Sequence, residues 1–386
     1  MSSLQSAAGF EEVMRNSDER RRIAIIYTHL PHYRKPVFSE LGSSSHFNFS
    51  FYYDVRGVDP TIRSEKLDGT GHHIRTLTLG GLMFQPGIFS ACIRDDFDCY
   101  IFLGNPHIVT TWLLMPILRL RKKKVAFWTH GWIRRERGLK RWLRNKFYHQ
   151  ADMLLLYSNR AKELGLASGF SEEQMEVIYN SLDYPTQKAQ REARCGHSND
   201  KGVPYFLCVS RLVPNVEIDL AIEAMAVLAI EPGLACELIV VGEGPERAAL
   251  ELQAEQLRAH VRFLGAIYEE ERLAELFMNC VAVVSPGKVG LLAMHALAYG
   301  APVITHGDLD QQMPEVEAII PGRTGQFFQR GDVKELAASM QRYLLIEHGE
   351  TQRREAIEII EKHWTPSAQR QLVEQAIDRL LTGRSA

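Results

Sequence analysis

The stretch VSPGKVGLLAMHALAYGAPVITH at residues 284–306 reads as a strand, a glycine-containing loop, a helix and a second strand. The first backbone N–H groups of a helix have no partner inside the helix, and together they can hold an anion such as phosphate. The sequence therefore predicts a phosphate cradle formed by Gly287, Lys288, Val289 and Gly290. No carboxylate occurs in this stretch. A strand–loop–helix–strand unit of this kind indicates an α/β fold with a parallel sheet.

The same alternation continues on both sides of this stretch. Apolar runs begin at residue 21 with RRIAIIYTHLP and continue through FNFSFYYDV, CYIFLG, KKVAFWTHG and ADMLLLYS. After residue 203 the alternation restarts with YFLCVSRL, CELIVVGEGP and VRFLGAI. Continuous apolar strands separated by helices are typical of parallel sheets covered on both faces. We therefore predict an α/β protein of two doubly wound, Rossmann-like domains facing a cleft, with ligands beyond the carboxyl ends of the strands.

The domain boundaries are predicted from composition. Residues 21–184 would form the first domain and residues 203–364 the second, because a chain of 386 residues rarely builds a single core. Residues 185–202 (PTQKAQREARCGHSNDKG) are polar, and we interpret them as a linker. A C-terminal helix at 365–384 is a candidate to complete the first domain.

Charge and cysteine content exclude several classes of function. With a formal net charge of −2, the protein as a whole is not a polycation, so nucleic acid is not an expected partner. The six cysteines are scattered without a C-x-x-C pair, which is typical of a reduced, cytoplasmic protein. No apolar run approaches the roughly 18 residues of a membrane span. No cluster has metal-ligand spacing, so we predict neither a metal nor another cofactor.

Polar and glycine residues recur where strands of the second domain end. Arg211 follows CVS, the turn with Gly242 and Gly244 precedes a helix, and Gly265 ends RFLG. Arg247 lies in the first turn of that helix, where a cation opposes the helix dipole and is not explained by capping. Each loop alone could be only a tight turn. Several such loops in order, together with Arg211, favour a site for a phosphorylated ligand.

These phrases resemble family 4 glycosyltransferases with the GT-B fold. Residues 203–345 are similar to the nucleotide-sugar-binding domain of that family through SRLVPNVEIDLAIEA, LIVVGEGPERAALE, FLGAI, GLLAMHALAYGAPVI, MPEVE and GRTGQFF. The first half is similar through THGW, ADMLLLYSNRAKELGLASG and VIYNSLD. The resemblance implies transfer of a hexose-type sugar from a nucleotide-diphosphate sugar to a lipid-linked or polysaccharide acceptor, with retention of configuration. It also implies that the departing phosphate accepts the acceptor's proton, so that no separate base is required.

The chain departs from the family at three donor-binding positions. The two glutamates that the family places eight residues apart are Gly287 and His295 here, and the family's lysine is Val216. His295 is a candidate ligand of the ribose, with simple packing against neighbouring alanines as the alternative. Lys288 either replaces the missing lysine or is a solvated loop residue. Glu315, in MPEVE, is carried over as a donor-binding residue.

The first domain supplies the expected acceptor side. The loop after the first strand contains His29, His32, Tyr33 and Arg34, in place of the glycine pair that the family often has there. The family's histidine beside the donor sugar corresponds to His130 in FWTHGW. We carry that catalytic role to His130, together with Arg211 for the departing diphosphate. A histidine that only holds its loop is the alternative.

A one-sided cationic segment runs from residue 119 to 146. Leucine, tryptophan and phenylalanine repeat at helical spacing in RGLKRWLRNKF, with cations on the other face, which suits an anionic membrane surface. The alternative is an ordinary helix with a solvated basic face. The predicted membrane contacts are Arg137, Lys140, Arg141 and Arg144.

The function predicted from the sequence is thus a cytoplasmic glycosyltransferase, with peripheral association at the inner membrane face. Its predicted partners are a nucleotide sugar, a glycolipid or polysaccharide acceptor and an anionic membrane. Two alternatives stay open. One is a degenerate, non-catalytic relative that binds or regulates an active enzyme, which the missing glutamates and lysine favour. The other is a nucleotide-sugar epimerase, which would need acidic and histidine clusters that the sequence does not show.

Overall fold

A computed structural model describes residues 20–57, 64–67, 69, 71–194, 202–230, 234–345 and 350–383. The chain divides into two compact units. Unit 1 comprises residues 1–178 and 369–386, and unit 2 comprises residues 179–368.

Unit 1 is built on a seven-stranded sheet in the order β3-β2-β1-β6-β7-β8-β9, in which every neighbouring pair is parallel. A separate antiparallel hairpin, β4–β5, lies outside that sheet. The strands are β1 (Arg22–His29), β2 (Asn48–Asp54), β3 (Gly71–His73), β4 (Leu77–Leu79), β5 (Leu82–Phe84), β6 (Cys99–Leu103), β7 (Lys124–Thr129), β8 (Met153–Leu156) and β9 (Met175–Val177). The helices are α1 (Lys35–Gly42), α2 (Gly87–Arg94), α3 (Val109–Leu120), α4 (Gly138–Tyr148) and α5 (Asn159–Leu166).

Two apolar layers enclose the sheet of unit 1. On one face, side chains of α2, α3 and α4 pack against the sheet, with Leu114, Phe147 and Trp132 among the buried residues. On the other face, α1 packs beside the last helix of the chain, which contributes Val373 and Ile377. Burial on both faces explains why these strands are continuously apolar.

Unit 2 has a six-stranded, fully parallel sheet in the order β12-β11-β10-β13-β14-β15. Its strands are β10 (Tyr205–Val209), β11 (Glu237–Val241), β12 (Val261–Gly265), β13 (Ala282–Ser285), β14 (Val303–His306) and β15 (Gly325–Phe328). The remaining helices of the chain are α6 (Tyr184–Arg194), α7 (Ile218–Leu228), α8 (Arg247–Leu257), α9 (Glu270–Asn279), α10 (Leu291–Ala298), α11 (Val333–Leu345), α12 (Glu350–His363) and α13 (Pro366–Thr382). The predicted α/β class with two Rossmann-like domains is confirmed.

The structure corrects the predicted linker at 185–202. Residues 184–194 form α6, which belongs to unit 2, and the boundary between the units falls at 178/179. Tyr184, Gln187 and Arg191 are buried, and Arg191 donates to the carbonyl of Ala298. Polar residues thus build an ordinary packed helix, because its buried polar groups find partners within unit 2. Residues 195–201 of the predicted linker lie outside the described part of the chain.

The C-terminal helix returns to the first unit. Residues from 369 onward group with unit 1, and their apolar side chains complete one of its two layers. Arg379 forms an ion pair with Glu176 there. Among the helices in the described ranges, none is both long and apolar enough to cross a bilayer.

Candidate functional site

The loop before α10 is held tightly against the loop that follows β10. The N–H of Gly287 donates to the carbonyl of Val216 at 2.9 Å. A Cβ on Gly287 would lie only 2.4 Å from the carbonyl oxygen of Asn215, so a larger residue would force the two loops apart. The absence of a side chain at 287 therefore has a packing reason. Val216 contributes to this contact through its backbone carbonyl. The contact therefore does not require the family's lysine side chain at that position.

Gln312, which was not predicted from the sequence, holds the same loop in place through its side chain. Its buried side-chain amide accepts from the N–H of Val289 at 3.0 Å and donates to the carbonyls of Gly287 and His306, both at 3.2 Å. It also donates to Thr305 Oγ1 at 2.9 Å. One side chain thus satisfies several buried backbone groups, which a buried amide can do only in one orientation.

These bonds decide which amides of the predicted cradle can meet a ligand. The N–H groups of Gly287 and Val289 already have acceptors, so they do not serve as donors to phosphate. Gly290 is the N-cap of α10 with φ 50° and supplies no side-chain cap. Within the described residues, no acceptor is recorded for the N–H groups of Gly290, Leu291 and Leu292. Of the amides predicted for the cradle, that of Gly290 therefore stays open to a ligand, and those of Leu291 and Leu292, which the sequence did not predict, join it.

Two cationic side chains lie on loops that follow strands of unit 2 and could contact an anionic ligand. Lys288 is exposed, and Arg211 is exposed just beyond the end of β10. Neither side chain has a recorded ion pair or hydrogen bond to another described residue. Both can therefore turn toward an anionic ligand without breaking an existing contact.

Arg247 is different, and its predicted role in donor binding is not supported by its contacts. Its guanidinium pairs with Glu243, and its Nε donates to Glu251 at 2.8 Å. These two carboxylates, four residues before and after it, raise the pKa of Arg247, led by the hydrogen bond to Glu251. A cation shared between two acids is a surface ion-pair network. Its position in the first turn of α8 thus has a structural explanation.

The glycines around Arg247 have steric roles. A Cβ on Gly242 would lie 1.8 Å from the carbonyl oxygen of Ser210, and one on Gly244 would lie 2.2 Å from that of Leu212. Gly265 accepts from the N–H of Gly242 at 2.8 Å. The turns after β10, β11 and β12 are therefore in mutual backbone contact, which brings them to the same edge of the sheet.

His295 has a partner that the sequence did not reveal. Its Nε2 lies 2.8 Å from Oε1 of Glu270, and the hydroxyl of Tyr299 donates to the same oxygen at 2.6 Å. Burial tends to raise the pKa of Glu270, but the contacts with His295 and Tyr299 outweigh it and lower that pKa. His295 therefore packs against more than alanines. A carboxylate stands beside it, supplied by α9 rather than by α10.

Glu315 is buried and lies in a short 3-10 helix, Pro314–Ala318. Its Oε1 accepts from the side-chain amide of Asn180 at 2.7 Å, and Asn180 also accepts from the N–H of Ser181. This carboxylate ties the 3-10 helix to the segment that opens unit 2. A donor-binding role for Glu315 stays a prediction.

In unit 1, Arg34 is buried rather than presented to an acceptor. Its guanidinium donates to the hydroxyl of Tyr157 and lies over the rings of Tyr157 and Trp128, at 4.7 and 5.7 Å from their centroids. Such stacking stabilises a cation that has been removed from water. The loop residue Arg34 is therefore part of the core beneath the edge of the sheet.

The other predicted acceptor-side residues surround that core. His32 is exposed and its ring lies 5.3 Å from that of Tyr33, which is half-buried. His29 is half-buried, with its Nδ1 3.3 Å from Thr28 Oγ1. Only His32 of this group is fully open to solvent.

His130 stands next to the buried cation. Its ring lies 4.6 Å from that of Tyr157, at the end of β7. Removal of the imidazole from water, followed by the positive charges of Arg34 and then Arg144, lowers the pKa of His130 below its usual value. The side chain is nevertheless partly open to solvent. His130 is therefore a neutral imidazole near pH 7 that can donate or accept a hydrogen bond.

The basic helix α4 presents a mixed surface. Leu139 and Trp142 are 77% and 56% exposed, and Lys140 is exposed beside them. Arg144 differs from its neighbours, because both its Nε and its Nη2 donate to Glu136, at 2.7 and 2.8 Å. The predicted membrane role of Arg144 is thus unsupported by its contacts.

Arg144 instead locks the loop after β7. Its Nη1 donates to the carbonyl of Gly131 at 3.2 Å, and the hydroxyl of Tyr148 donates to the same carbonyl at 3.2 Å. Arg137 is exposed, and Arg141 is half-buried with a bond to the carbonyl of Ala167 at 3.2 Å. In the described ranges, no group of three or more His, Cys, Asp or Glu side chains could hold a metal ion.

Each unit has a doubly wound parallel sheet with loops at the ends of its strands. A chain with two such units has the GT-B class of fold. Residues 189–363 match the family model described as "Glycosyl transferases group 1". The resemblance noted from the sequence is thus confirmed.

A curated relative matches over a shorter stretch. The GDP-mannose-dependent alpha-(1-6)-phosphatidylinositol dimannoside mannosyltransferase of Mycobacterium tuberculosis (strain ATCC 25177 / H37Ra) is 34% identical over 97 residues. That alignment covers 24% of this chain and 25% of the relative, so it spans only about a quarter of the relative's length.

Solved structures match over almost the whole chain. A glycosyltransferase from Rickettsia africae is 14% identical with a TM-score of 0.71, covering 95% of this chain and 100% of its own. Anabaena HepE, solved in complex with UDP, is 16% identical with a TM-score of 0.67, covering 93% and 99%. At these identities the likeness concerns the fold.

Proposed function

We propose that the protein is a glycosyltransferase whose donor is a nucleotide-diphosphate sugar. The observation that carries the proposal is the N-terminus of α10, where three successive N–H groups have no recorded acceptor among the described residues and Lys288 is exposed. Helix N-termini of this kind favour diphosphate, both by donating hydrogen bonds and by their dipole. Arg211 adds an exposed cation.

In the proposed reaction, the bond between the anomeric carbon and the diphosphate oxygen breaks, and the nucleoside diphosphate leaves with the bonding electrons. The acceptor hydroxyl forms the new bond to that carbon. Its proton passes to an oxygen of the departing phosphate, so no protein base is consumed. The chain contributes positioning and charge stabilisation, which are large terms in such transfers.

Retention of configuration and a sugar contact by His130 come from the resemblance to family 4 enzymes. A neutral imidazole suits this role, because it binds a sugar hydroxyl without adding a charge beside the transferred carbon. The relatives support a nucleotide donor: one is named for its dependence on GDP-mannose, and another was solved with UDP.

For the acceptor we propose a lipid-linked or polysaccharide chain reached from an anionic membrane surface. The support is α4, whose exposed Leu139, Trp142 and Leu143 lie among the exposed cations Arg137 and Lys140. Each cation near an anionic surface contributes about 1 kcal/mol to binding. The double variant Arg137→Glu, Lys140→Glu should therefore lose most binding to anionic vesicles, measured by co-sedimentation.

The matched control is Lys334→Glu, a reversal of an exposed charge on unit 2. It should bind vesicles as the parent does. Equal binding by the double variant and the control would contradict the membrane proposal and leave α4 as an ordinary solvated helix.

A non-catalytic role is the second candidate. The observations that favour it are the absent carboxylates at 287 and 295 and the neutralisation of Arg247 by two acids. A panel of nucleotide sugars, each tested for thermal stabilisation and for transfer of labelled sugar to a membrane extract, separates the two. Sugar transfer supports the enzyme, whereas stabilisation by a nucleotide without hydrolysis or transfer supports the binding protein.

A further inference from the structure

A cavity lies in unit 1, at the edge of the sheet opposite to the strand ends that carry His130. Its volume is about 420 Å³, and its wall includes Arg119, Lys122, Lys123, Lys124, His149 and Asp152. Lys124 is the first residue of β7, and Asp152 directly precedes β8. Because the amino ends of parallel strands meet at one edge, we call this cavity the amino-edge pocket.

The wall of the amino-edge pocket is strongly cationic. Lys123 forms an ion pair with Asp96 at 2.7 Å, and Arg119 donates to the carbonyl of His149 at 3.3 Å. The carboxylate of Asp152 is engaged as well, since its Oδ2 accepts from the N–H of Val125 at 2.8 Å. Lys122 and Lys124 are exposed and have no recorded ion pair among the described residues. If Lys123 is counted with its partner Asp96, three cations in the wall share this hollow of ligand size with a single carboxylate, that of Asp152.

The backbone at Lys122 gives an independent observation. Its φ is 55°, in the left-handed region. The N–H of Lys122 bonds to the carbonyl of Arg119, and that of Lys123 bonds to the carbonyl of Leu118, both at 2.9 Å. This is the bonding pattern that ends many helices, and glycine is the residue favoured at its left-handed position. Lysine is disfavoured there because its Cβ clashes with the backbone, so a charged side chain occupies a position where glycine would be more stable.

A purely structural reading explains only part of this arrangement. The helices α3 and α4 both end at the pocket, and cations near helix C-termini are stabilising. That accounts for Arg119, which bonds to a carbonyl at the end of α4. The same dipole favours Lys122, which lies just beyond the end of α3, but it does not account for Lys124, the first residue of β7, for which no bond to a helix carbonyl is recorded among the described residues.

We propose that the amino-edge pocket binds a phosphomonoester group. Lysine ammonium groups bind phosphate as compact point charges, and a phosphomonoester carries more negative charge than a phosphodiester. The source favoured by the structure is a lipid headgroup. A second cavity, of about 390 Å³, follows α4 from Gly138 past Trp142 and Lys146 to His149, which it shares with the amino-edge pocket.

This shared residue places the pocket next to the exposed apolar surface of α4. A headgroup could enter the pocket while Trp142 meets the lipid surface. The lipid source therefore rests on the membrane role proposed for α4, whereas the phosphate site itself does not depend on that role or on sugar transfer.

The test uses a variant that should keep its fold. In Lys122→Gly, Lys124→Gln, the first change removes a charge and relieves the left-handed backbone, and the second removes the other charge at an exposed position. Its melting temperature should match or exceed that of the parent. Binding is measured to phosphatidylcholine vesicles carrying phosphatidic acid, a phosphomonoester, and to vesicles carrying phosphatidylglycerol, a phosphodiester, at equal surface charge.

The parent should prefer phosphatidic acid, and the variant should lose that preference by about tenfold or more, because it lacks two ammonium groups that would form charge-assisted hydrogen bonds to the headgroup. Tenfold corresponds to about 1.4 kcal/mol. A control, Lys140→Gln, should weaken binding to both kinds of vesicle without changing the preference. Titration with glycerol 3-phosphate in solution tests the other source of a phosphomonoester, a soluble molecule.

If glycerol 3-phosphate binds the parent and not the variant while no lipid preference exists, the phosphate site stands and the lipid source is refuted. If the parent shows neither binding nor preference, or if the variant keeps both, the proposal is overturned. Sugar transfer assayed in detergent reports separately on the proposed function, because the pocket variant should retain it.

Discussion

Replacement of Gln312 by leucine is the sharpest test of how the donor loop is held. Gln312→Leu keeps the apolar bulk but removes the acceptor of the Val289 N–H and the donors to Gly287 O, His306 O and Thr305 Oγ1. A buried polar group left without a partner costs about 1–3 kcal/mol. Relaxation of the loop relieves part of that cost, so we expect a loss of about 3 kcal/mol in the free energy of unfolding.

The substitution should affect the conformation of the loop before α10 more than the stability of the fold. With Val289 released, the N-terminus of α10 loses its fixed direction, and binding of a nucleoside diphosphate should weaken by at least about tenfold, or 1.4 kcal/mol. Urea denaturation measures the stability, and calorimetric titration with UDP and GDP measures the binding by the folded variant. The matched control is Gln326→Leu, since this half-buried glutamine makes a single bond, to Phe327 O at 3.1 Å, and the cost should stay below about 1.5 kcal/mol. Equal stability and equal binding in the two variants would refute the role of Gln312.

Three further predictions concern the loops and the histidine. Gly287→Ala places a Cβ 2.4 Å from Asn215 O, so the melting temperature should fall, at an overpacking cost of about 1–3 kcal/mol, and diphosphate binding should weaken; an unchanged thermal scan would contradict this. Arg211→Ala should weaken diphosphate binding by about 1.5–3 kcal/mol with little effect on the nucleoside, while Arg247→Ala should leave both unchanged in calorimetry; equal losses would show that Arg247 still meets the donor. The pKa of His130 is lower in the folded protein than in the unfolded chain. Below about pH 6.5 the unfolded chain therefore binds more protons at this histidine than the folded protein does, so the free energy of unfolding decreases as the pH falls below that value. His130→Gln should show a shallower fall in pH-dependent denaturation, and an identical profile would exclude this histidine as a cause.

The fold was predictable because it rests on local pattern. The strands β1 and β7 have unbroken apolar runs at their centres, as expected of strands buried on both faces. The linker was predicted wrongly because α6 is polar in sequence, and its burial depends on distant partners such as Ala298 O and Glu361. Composition alone does not report such partners.

The site was only partly predictable. Arg247 could have been recognised as a paired residue, since Glu243 and Glu251 stand at the helical spacing of four. The partner of His295 could not, because Glu270 lies on another helix, 25 residues away. Gln312 and its contacts likewise depend on the tertiary approach of β14 to the loop before α10. Sequence pattern indicates which loops meet, whereas hydrogen-bond partners across a fold follow only from the packed structure.

The central claim is that the N-terminus of α10 holds the diphosphate of a nucleotide sugar. The most direct measurement is the change in backbone amide NMR signals of isotopically labelled protein on titration with UDP or GDP. We predict that the amides of Gly290, Leu291 and Leu292 shift and saturate with the binding curve, while that of Val289, already bonded to Gln312, moves least. Saturable nucleotide binding that leaves the three amides unmoved would contradict the account.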